Sequence, residues 1–297
     1  MRRLHWSFKT IAVLSAALMT MMAAHAQPAK KGAAPAVFAP EVGQAGKDVI
    51  WVPTGLALVN KMLDMAKLTP KDYLIDLGSG DGRTVITAAK RGARAHGIEY
   101  NPDMVVLSKR NAAKEGIAER ATFEKADIFE SDFSKATVIT LFLLPSLNVK
   151  LRPILLNMRA GTRIASNSFD MGDWKPDQTT RLESDCDSWC TALFWIVPAK
   201  VDGRWKVGDD ELTFSQQYQM ISGTLRSGGN TQFVSAARLE GEQIYFSAGT
   251  TQYSGRVNGD TIDGISNTGT AKSPWQATRV SDRSGSHSES IERPVVQ

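Results

Sequence analysis

Asp76-Leu77-Gly78-Ser79-Gly80-Asp81-Gly82 is the stretch of this chain whose residue types and spacing point most directly to chemistry. Closely spaced glycines let a backbone turn sharply and let a ligand press against it. The spacing departs from that of a dinucleotide loop, because Gly82 comes one position too early for G-x-G-x-x-G. Asp76 and Asp81 would also repel a pyrophosphate. Two carboxylates instead attract a ligand that carries cations. S-adenosylmethionine, with an ammonium and a sulfonium in its methionine half, answers to that description. Asp76, Gly78, Ser79, Gly80 and Gly82 are its expected contacts.

Two further acids extend the same reading. Glu99 stands in Gly97-Ile98-Glu99-Tyr100-Asn101-Pro102, about twenty residues past the loop, where an acid usually accepts from ribose hydroxyls. Tyr100 adjoins it. Asp127, in Lys125-Ala126-Asp127-Ile128-Phe129, is placed to accept from the adenine amine, with Ile128 against the ring face. On the acceptor side, Asn167-Ser168-Phe169-Asp170-Met171-Gly172-Asp173-Trp174 would roof the pocket. There Asp170 and Asp173 would hold an ammonium while Trp174 offers a cation–π face. The alternative is an ordinary polar loop with a packed tryptophan.

Histidine argues by its scarcity. His5 and His25 belong to the leading segment, His96 falls inside a strand and His287 lies near the end. Neither a histidine base nor a histidine-ligated metal is expected. Cys186 and Cys190 supply too few ligands for zinc. In an exported chain they read as a small disulfide across a turn, or else as two free thiols beside a hairpin.

These residues need elements to position them. Strand patterns at 73–77, 95–99, 122–127, 137–144 and 162–168 alternate with helical ones at 83–91 and 101–114 and one ending near 158. Stretches at 178–183 and 190–198 read as a closing hairpin, giving a doubly wound seven-stranded α/β sheet over 48–200. The glycine loop, Glu99 and Asp127 then all fall at the carboxyl ends of neighbouring strands. Beyond 200 the texture becomes short alternating segments punctuated by Gly-Gly-Asn, Asn-Gly-Asp and Asp-Gly turns. The expectation for 201–280 is a small antiparallel all-β meander or barrel, docked as an accessory, with strands at 211–218, 219–225, 231–238, 243–248, 253–257, 261–265 and 275–280.

The ends read differently. Arg2, Arg3 and Lys9 precede an apolar run at 11–24, and Ala24-His25-Ala26 offers small residues for cleavage. At about 14 residues the run is short for a bilayer core of roughly 30 Å, so 1–26 reads as a signal peptide and the chain as an exported, periplasmic protein. No stable membrane insertion is expected once it is cut. Residues 27–47 read as a flexible lead-in and 281–297 as a loose polar tail. The formal net charge is +4, and three of those charges leave with the signal. The remaining +1 argues against a nucleic-acid partner.

Asp76-Leu77-Gly78-Ser79-Gly80-Asp81-Gly82, Glu99 and Asp127 together resemble the motif set of class I S-adenosylmethionine-dependent methyltransferases. The likeness covers about 48–198. More narrowly, Trp51-Val52-Pro53-Thr54 and Ala88-Ala89-Lys90-Arg91-Gly92-Ala93 resemble the ATP synthase c-subunit lysine methyltransferase-like family. The resemblance implies a Rossmann-like fold, S-adenosylmethionine as cofactor and N-methylation of a protein lysine. It implies that Thr54 helps close over the cofactor, and that Leu143-Leu144-Pro145-Ser146, Pro145 among them, lies beside the transferred methyl. The competing readings are an amine-bearing small molecule as acceptor, and a non-catalytic S-adenosylmethionine-binding module of the envelope.

Overall fold

The computed structural model describes residues 38–281. The stretches read above as a signal peptide, most of the lead-in and nearly all of the tail lie outside them. Among the described residues no helix is long and apolar enough to cross a membrane.

The first part is a sheet wrapped by helices. Its elements run α1 (Leu56–Met65), β1 (Tyr73–Leu77), α2 (Arg83–Lys90), β2 (Arg94–Glu99), α3 (Pro102–Lys114), β3 (Ala121–Lys125), β4 (Val138–Leu141), α4 (Pro145–Leu156), β5 (Arg163–Asn167), β6 (Gln178–Arg181) and β7 (Thr191–Ile196). Strand order is β3-β2-β1-β4-β5-β7-β6, with the first five parallel and β7 antiparallel to both neighbours. All four residues of β4 are buried, as a central strand covered on both faces requires. Side chains alternate along β1, so Leu74 joins one core with α1, α2 and α3 while Ile75 and Leu77 join another with α4. Asn101 starts α3 by accepting from the Asp103 N–H at 2.9 Å, and Pro102 follows where its missing N–H costs nothing.

The second part is a closed barrel of β8 (Gly203–Val207), β9 (Asp210–Gln217), β10 (Met220–Ser227), β11 (Asn230–Glu240), β12 (Gln243–Ala248), β13 (Thr251–Asn258), β14 (Thr261–Thr268) and β15 (Ala271–Arg279). Closure comes from β15 pairing with β8 through Thr278 with Lys206 and Arg279 with Trp205. The Arg279 guanidinium lies 4.3 Å from the Trp205 ring centroid and donates to the carbonyls of Asp202 and Lys200. Side chains fill the interior: Phe214 and Trp275 meet the Phe246 ring edge to face at 5.4 and 5.6 Å. The sequence reading missed β8. Its signal is Trp205 alone between Arg204 and Lys206, ahead of the Gly208 turn.

One expectation changes here. Residues 43–51, read as the loose lead-in and its edge, fold into a hairpin in which the Gly43 N–H donates to Trp51 O and the Trp51 N–H to Gln44 O, both at 2.9 Å. The barrel docks on the sheet through the turn between β9 and β10. Tyr218, in the β9–β10 turn, stacks on Trp174 at 6.0 Å and donates its hydroxyl to Asp173 at 2.9 Å. Gln219 donates to the Lys175 carbonyl at 2.8 Å.

Candidate active site

β1 and β4 are neighbours where the strand order reverses, and a pocket opens at their carboxyl ends, as open α/β sheets dispose their ligand sites. The glycine turn after β1 forms its floor. Gly80 has φ +53°, and a Cβ there would stand 2.7 Å from the Trp51 indole nitrogen. Gly82 has φ +82°, and a Cβ there would meet the Phe123 ring and Ser108 Cβ at 2.7 Å. Sequence reasoning reserved this room for a ligand alone; the protein's own side chains take up much of it.

Hydrogen bonds from the backbone then fix the acids. The N–H groups of Gly78 and Ser79 both donate to Ile98 O, at 2.9 and 3.0 Å, which ties the turn to β2. Gly80 N–H donates to Glu99 Oε2 and Asn101 N–H to Oε1, each at 2.9 Å. Both carboxylate oxygens are thus oriented and keep lone pairs for the pocket. A charged hydrogen bond of this kind is worth roughly 1.5–3 kcal/mol, so Glu99→Ala is expected to weaken S-adenosylmethionine binding about tenfold. Calorimetry checks this, and an unchanged affinity in a folded variant would remove Glu99 from the site.

Asp76 is buried, and its Oδ1 accepts from Thr140 at 2.7 Å. Burial pushes its carboxyl up to about 7; the hydroxyl of Thr140 opposes the rise, and the charges of Glu99 and Asp81 add to it. Asp81 is ion-paired. Arg83 donates to it from Nη2 at 2.6 Å and spends Nη1 on Thr54 O at 3.0 Å. Asp127 is paired as well, its Oδ2 with Lys47 and its Oδ1 accepting from Phe129 N–H at 2.9 Å. Burial is the largest single influence and disfavours its charge, but the hydrogen bonds from Lys47 and Phe129 N–H, with the charges of Lys47 and Lys150, together hold the carboxyl below the usual range.

The remaining cofactor candidates divide. Thr54, Tyr100 and Ile128 line the pocket. The Thr54 hydroxyl accepts from Asn167 Nδ2 at 3.1 Å, and Tyr100 lies between two ammonium groups, Lys47 at 4.8 Å and Lys125 at 5.0 Å. Ser79 lines the pocket, but its hydroxyl is buried against β2, where a Cβ on Gly97 would stand 2.5 Å from it. Its contribution is the small size that lets the turn meet Gly97. Sequence reasoning missed Trp51, Met104 and Lys47 as lining residues; the Trp51-Val52-Pro53-Thr54 motif was the available signal.

The acceptor candidates are corrected. Trp174 is wholly buried among Trp195 and Tyr218 and offers no cation–π face to the pocket. Asp173 pairs with Arg152 and accepts from Tyr218, so its charge is used in joining sheet to barrel. Asp170 accepts from Gly172 N–H at 3.1 Å within its own turn. Pro145 occupies the first turn of α4, and neither it nor the two acids lines the pocket or the groove beside it. That groove is formed by Val49, Ile50, Phe142, Leu144, Phe169 and Trp189, and it shares Phe142, Leu143 and Asp48 with the main pocket. Cys186 and Cys190 are bridged at its edge.

The pocket suits S-adenosylmethionine. Its lining cations, Lys47 and Arg83, are both spent on carboxylates, while Asp76, Glu99 and Asp48 leave it acidic. An acidic pocket with an oriented ribose acceptor welcomes a cationic nucleoside and repels a phosphate. Asp76 and Glu99 would hold it, with Tyr100, Met104 and Ile128 giving apolar contact to its base.

Residues 76–178 match the model of the ANTKMT methyltransferase domain. A protein-lysine N-methyltransferase of Saccharolobus islandicus is 40% identical over 138 residues, covering 46% of this chain and 86% of that protein. The ATP synthase c-subunit lysine N-methyltransferase of Rattus norvegicus is 31% identical over 59% of this chain and 76% of its own length. An RNA methyltransferase from Salinibacter ruber, crystallised with S-adenosyl-L-homocysteine, is 47% identical over 50% of this chain and 96% of that one, with a TM-score of 0.48. The chain binds S-adenosylmethionine and belongs to the class I methyltransferases, in the family of the ATP synthase c-subunit lysine N-methyltransferases.

Proposed function

We propose that this enzyme N-methylates a lysine of a protein acceptor. The observation that carries the reading is the junction of pocket and groove at Phe142 and Leu143, which is apolar and aromatic, bears the carboxylate of Asp48 and has no histidine in its lining. An oxygen acceptor needs a base to remove its proton in the transition state, whereas an amine gives up its proton to water beforehand. The cofactor, held by Asp76 and Glu99, would supply an electrophilic methyl on cationic sulfur to the amine lone pair. The chain's own part is positioning, which suffices for in-line displacement. The two lysine-methylating relatives support the same acceptor. Asp48 and the loop acids Asp185 and Asp187 would repel a phosphodiester, which favours protein over nucleic acid. We also infer that the chain works outside the cytoplasm, and the Cys186–Cys190 bridge supports this.

The test is incubation of the full chain with methyl-labelled cofactor and envelope proteins, followed by acid hydrolysis. Label is expected in methylated lysine, at a rate that rises from pH 7 toward 9 as the amine, with an ordinary pKa near ~10.4, deprotonates. Label in base-labile esters or in RNA would overturn the reading.

A further inference from the structure

Beside the cofactor pocket three aromatic rings meet that no local motif brings together. Phe142, just past β4, and Phe169, just past β5, stack with centroids 5.9 Å apart. Trp189 closes the triangle, 5.0 Å from Phe169 and 6.0 Å from Phe142. A buried cluster of this kind would read as core. Here, however, Trp189 is 46% exposed, and Ile50 and Leu144 on the same groove are exposed too. The rings therefore line an open apolar trough, and Phe142 and Leu143 carry that trough into the cofactor pocket. Asp48 touches both. An apolar channel with aromatic walls and one carboxylate at its edge fits a chain of methylenes ending in an ammonium.

Trp189 owes its place to the covalent loop that bears it. Cys186 and Cys190 close a five-residue ring, and Trp189 sits inside it with φ +57°. A bulky residue keeps that conformation only where its surroundings impose it. Cys190 is itself buried, and its carbonyl accepts from Leu182 N–H at 2.9 Å, so the ring is anchored where β7 begins.

We propose that Trp189, held by the Cys186–Cys190 bridge, is a specificity-determining wall of the acceptor channel, receiving the lysine side chain against Phe142 and Phe169. This rests on the lysine reading above. It assigns the disulfide a positioning role toward the acceptor that is separate from cofactor binding.

The experiment uses the full chain, methyl-labelled S-adenosylmethionine and an acetylated, amidated Gly-Ala-Lys-Ala-Gly peptide as the acceptor. Trp189→Ala is expected to raise KM for the peptide about tenfold, as loss of a cation–π wall would. Affinity for S-adenosyl-L-homocysteine should stay within about twofold of the parent, and Trp189→Phe should restore most of KM. Cys186→Ser with Cys190→Ser should raise the peptide KM in the same sense, with homocysteine-product affinity again unmoved. Label on the peptide with equal KM in all four proteins would overturn the channel and leave the lysine reading standing. Equal losses of cofactor-product and peptide affinity would also overturn it, showing Trp189 to be merely structural. No label on the peptide from the parent would overturn the lysine reading and this inference together.

Discussion

Gly80→Val is expected to lower the affinity for S-adenosylmethionine about a hundredfold while leaving the fold intact. A β-branched residue at φ +53° is strained, and its Cβ would press on the Trp51 indole at 2.7 Å. The strain itself costs roughly 1–3 kcal/mol, which a domain of this size can bear. The larger effect is local. Relief requires the turn to move, and that withdraws the Gly80 N–H from Glu99 and the indole from the pocket wall together. Losing one charged hydrogen bond and the orientation of a second adds up to roughly 3 kcal/mol, or two decades in binding. Calorimetry with far-ultraviolet dichroism as the folding control measures this. Parent-like affinity would show that the turn tolerates side chains and that its glycines serve only the chain's own packing.

Asp76→Asn carries the second large effect, and it appears in the pH dependence. The carboxyl of the folded, cofactor-free protein titrates at about 7, against an ordinary value of 3.8. Between those values the native state keeps a proton that the unfolded chain has released. Stability contributed by this group therefore falls as pH rises from about 4 to about 7, and falls no further above that. At ~1.36 kcal/mol per unit the full swing is on the order of 4 kcal/mol. Binding of a cation works in the opposite sense, because it favours the ionised carboxylate. S-adenosylmethionine affinity should thus rise between pH 6 and 8 with release of a proton. Asp76→Asn should bind at least tenfold more weakly at pH 8, yet melt at a higher temperature than the parent there when cofactor is absent. Titrations at both pH values in buffers of different ionisation enthalpy count the proton. A variant that keeps the parent's pH slope would assign that proton to another group.

Much of this site was legible because its signals are local. The glycine turn, Asp76 and Glu99 lie within one strand–turn–helix–strand unit, where spacing alone decides which side chains reach the carboxyl edge. Parallel strands β1, β2 and β4 were legible for the same reason, each running directly into a helix. What spacing cannot carry is the partner of a side chain far along the chain. Asp127 reads as a free acceptor until Lys47, eighty positions earlier, is seen paired with it. Trp174 and Asp173 read equally as a cation–π binding face or as a polar loop with a packed tryptophan, because spacing does not show what covers a ring. Tyr218, far downstream in the barrel, covers the one and bonds the other. The aromatic trough escaped notice likewise, since Phe142, Phe169 and Trp189 come from three separate connections.

The pairing of β15 with β8 sets an order of assembly for the barrel. Every other neighbouring pair there is a hairpin between consecutive strands, which forms early because its ends are already close. The seam between Trp205 and Arg279 must wait, because it joins the first strand to the last and only the final residues of β15 supply it. Arg279 acts as the latch, spanning Trp205 and the carbonyls of Lys200 and Asp202 in one step. Until that latch drops, β8 and β15 present two bare strand edges of the kind that recruit other chains or proteases. The interval between emergence of residue 200 and capture of residue 279 is therefore the vulnerable period in this protein's maturation.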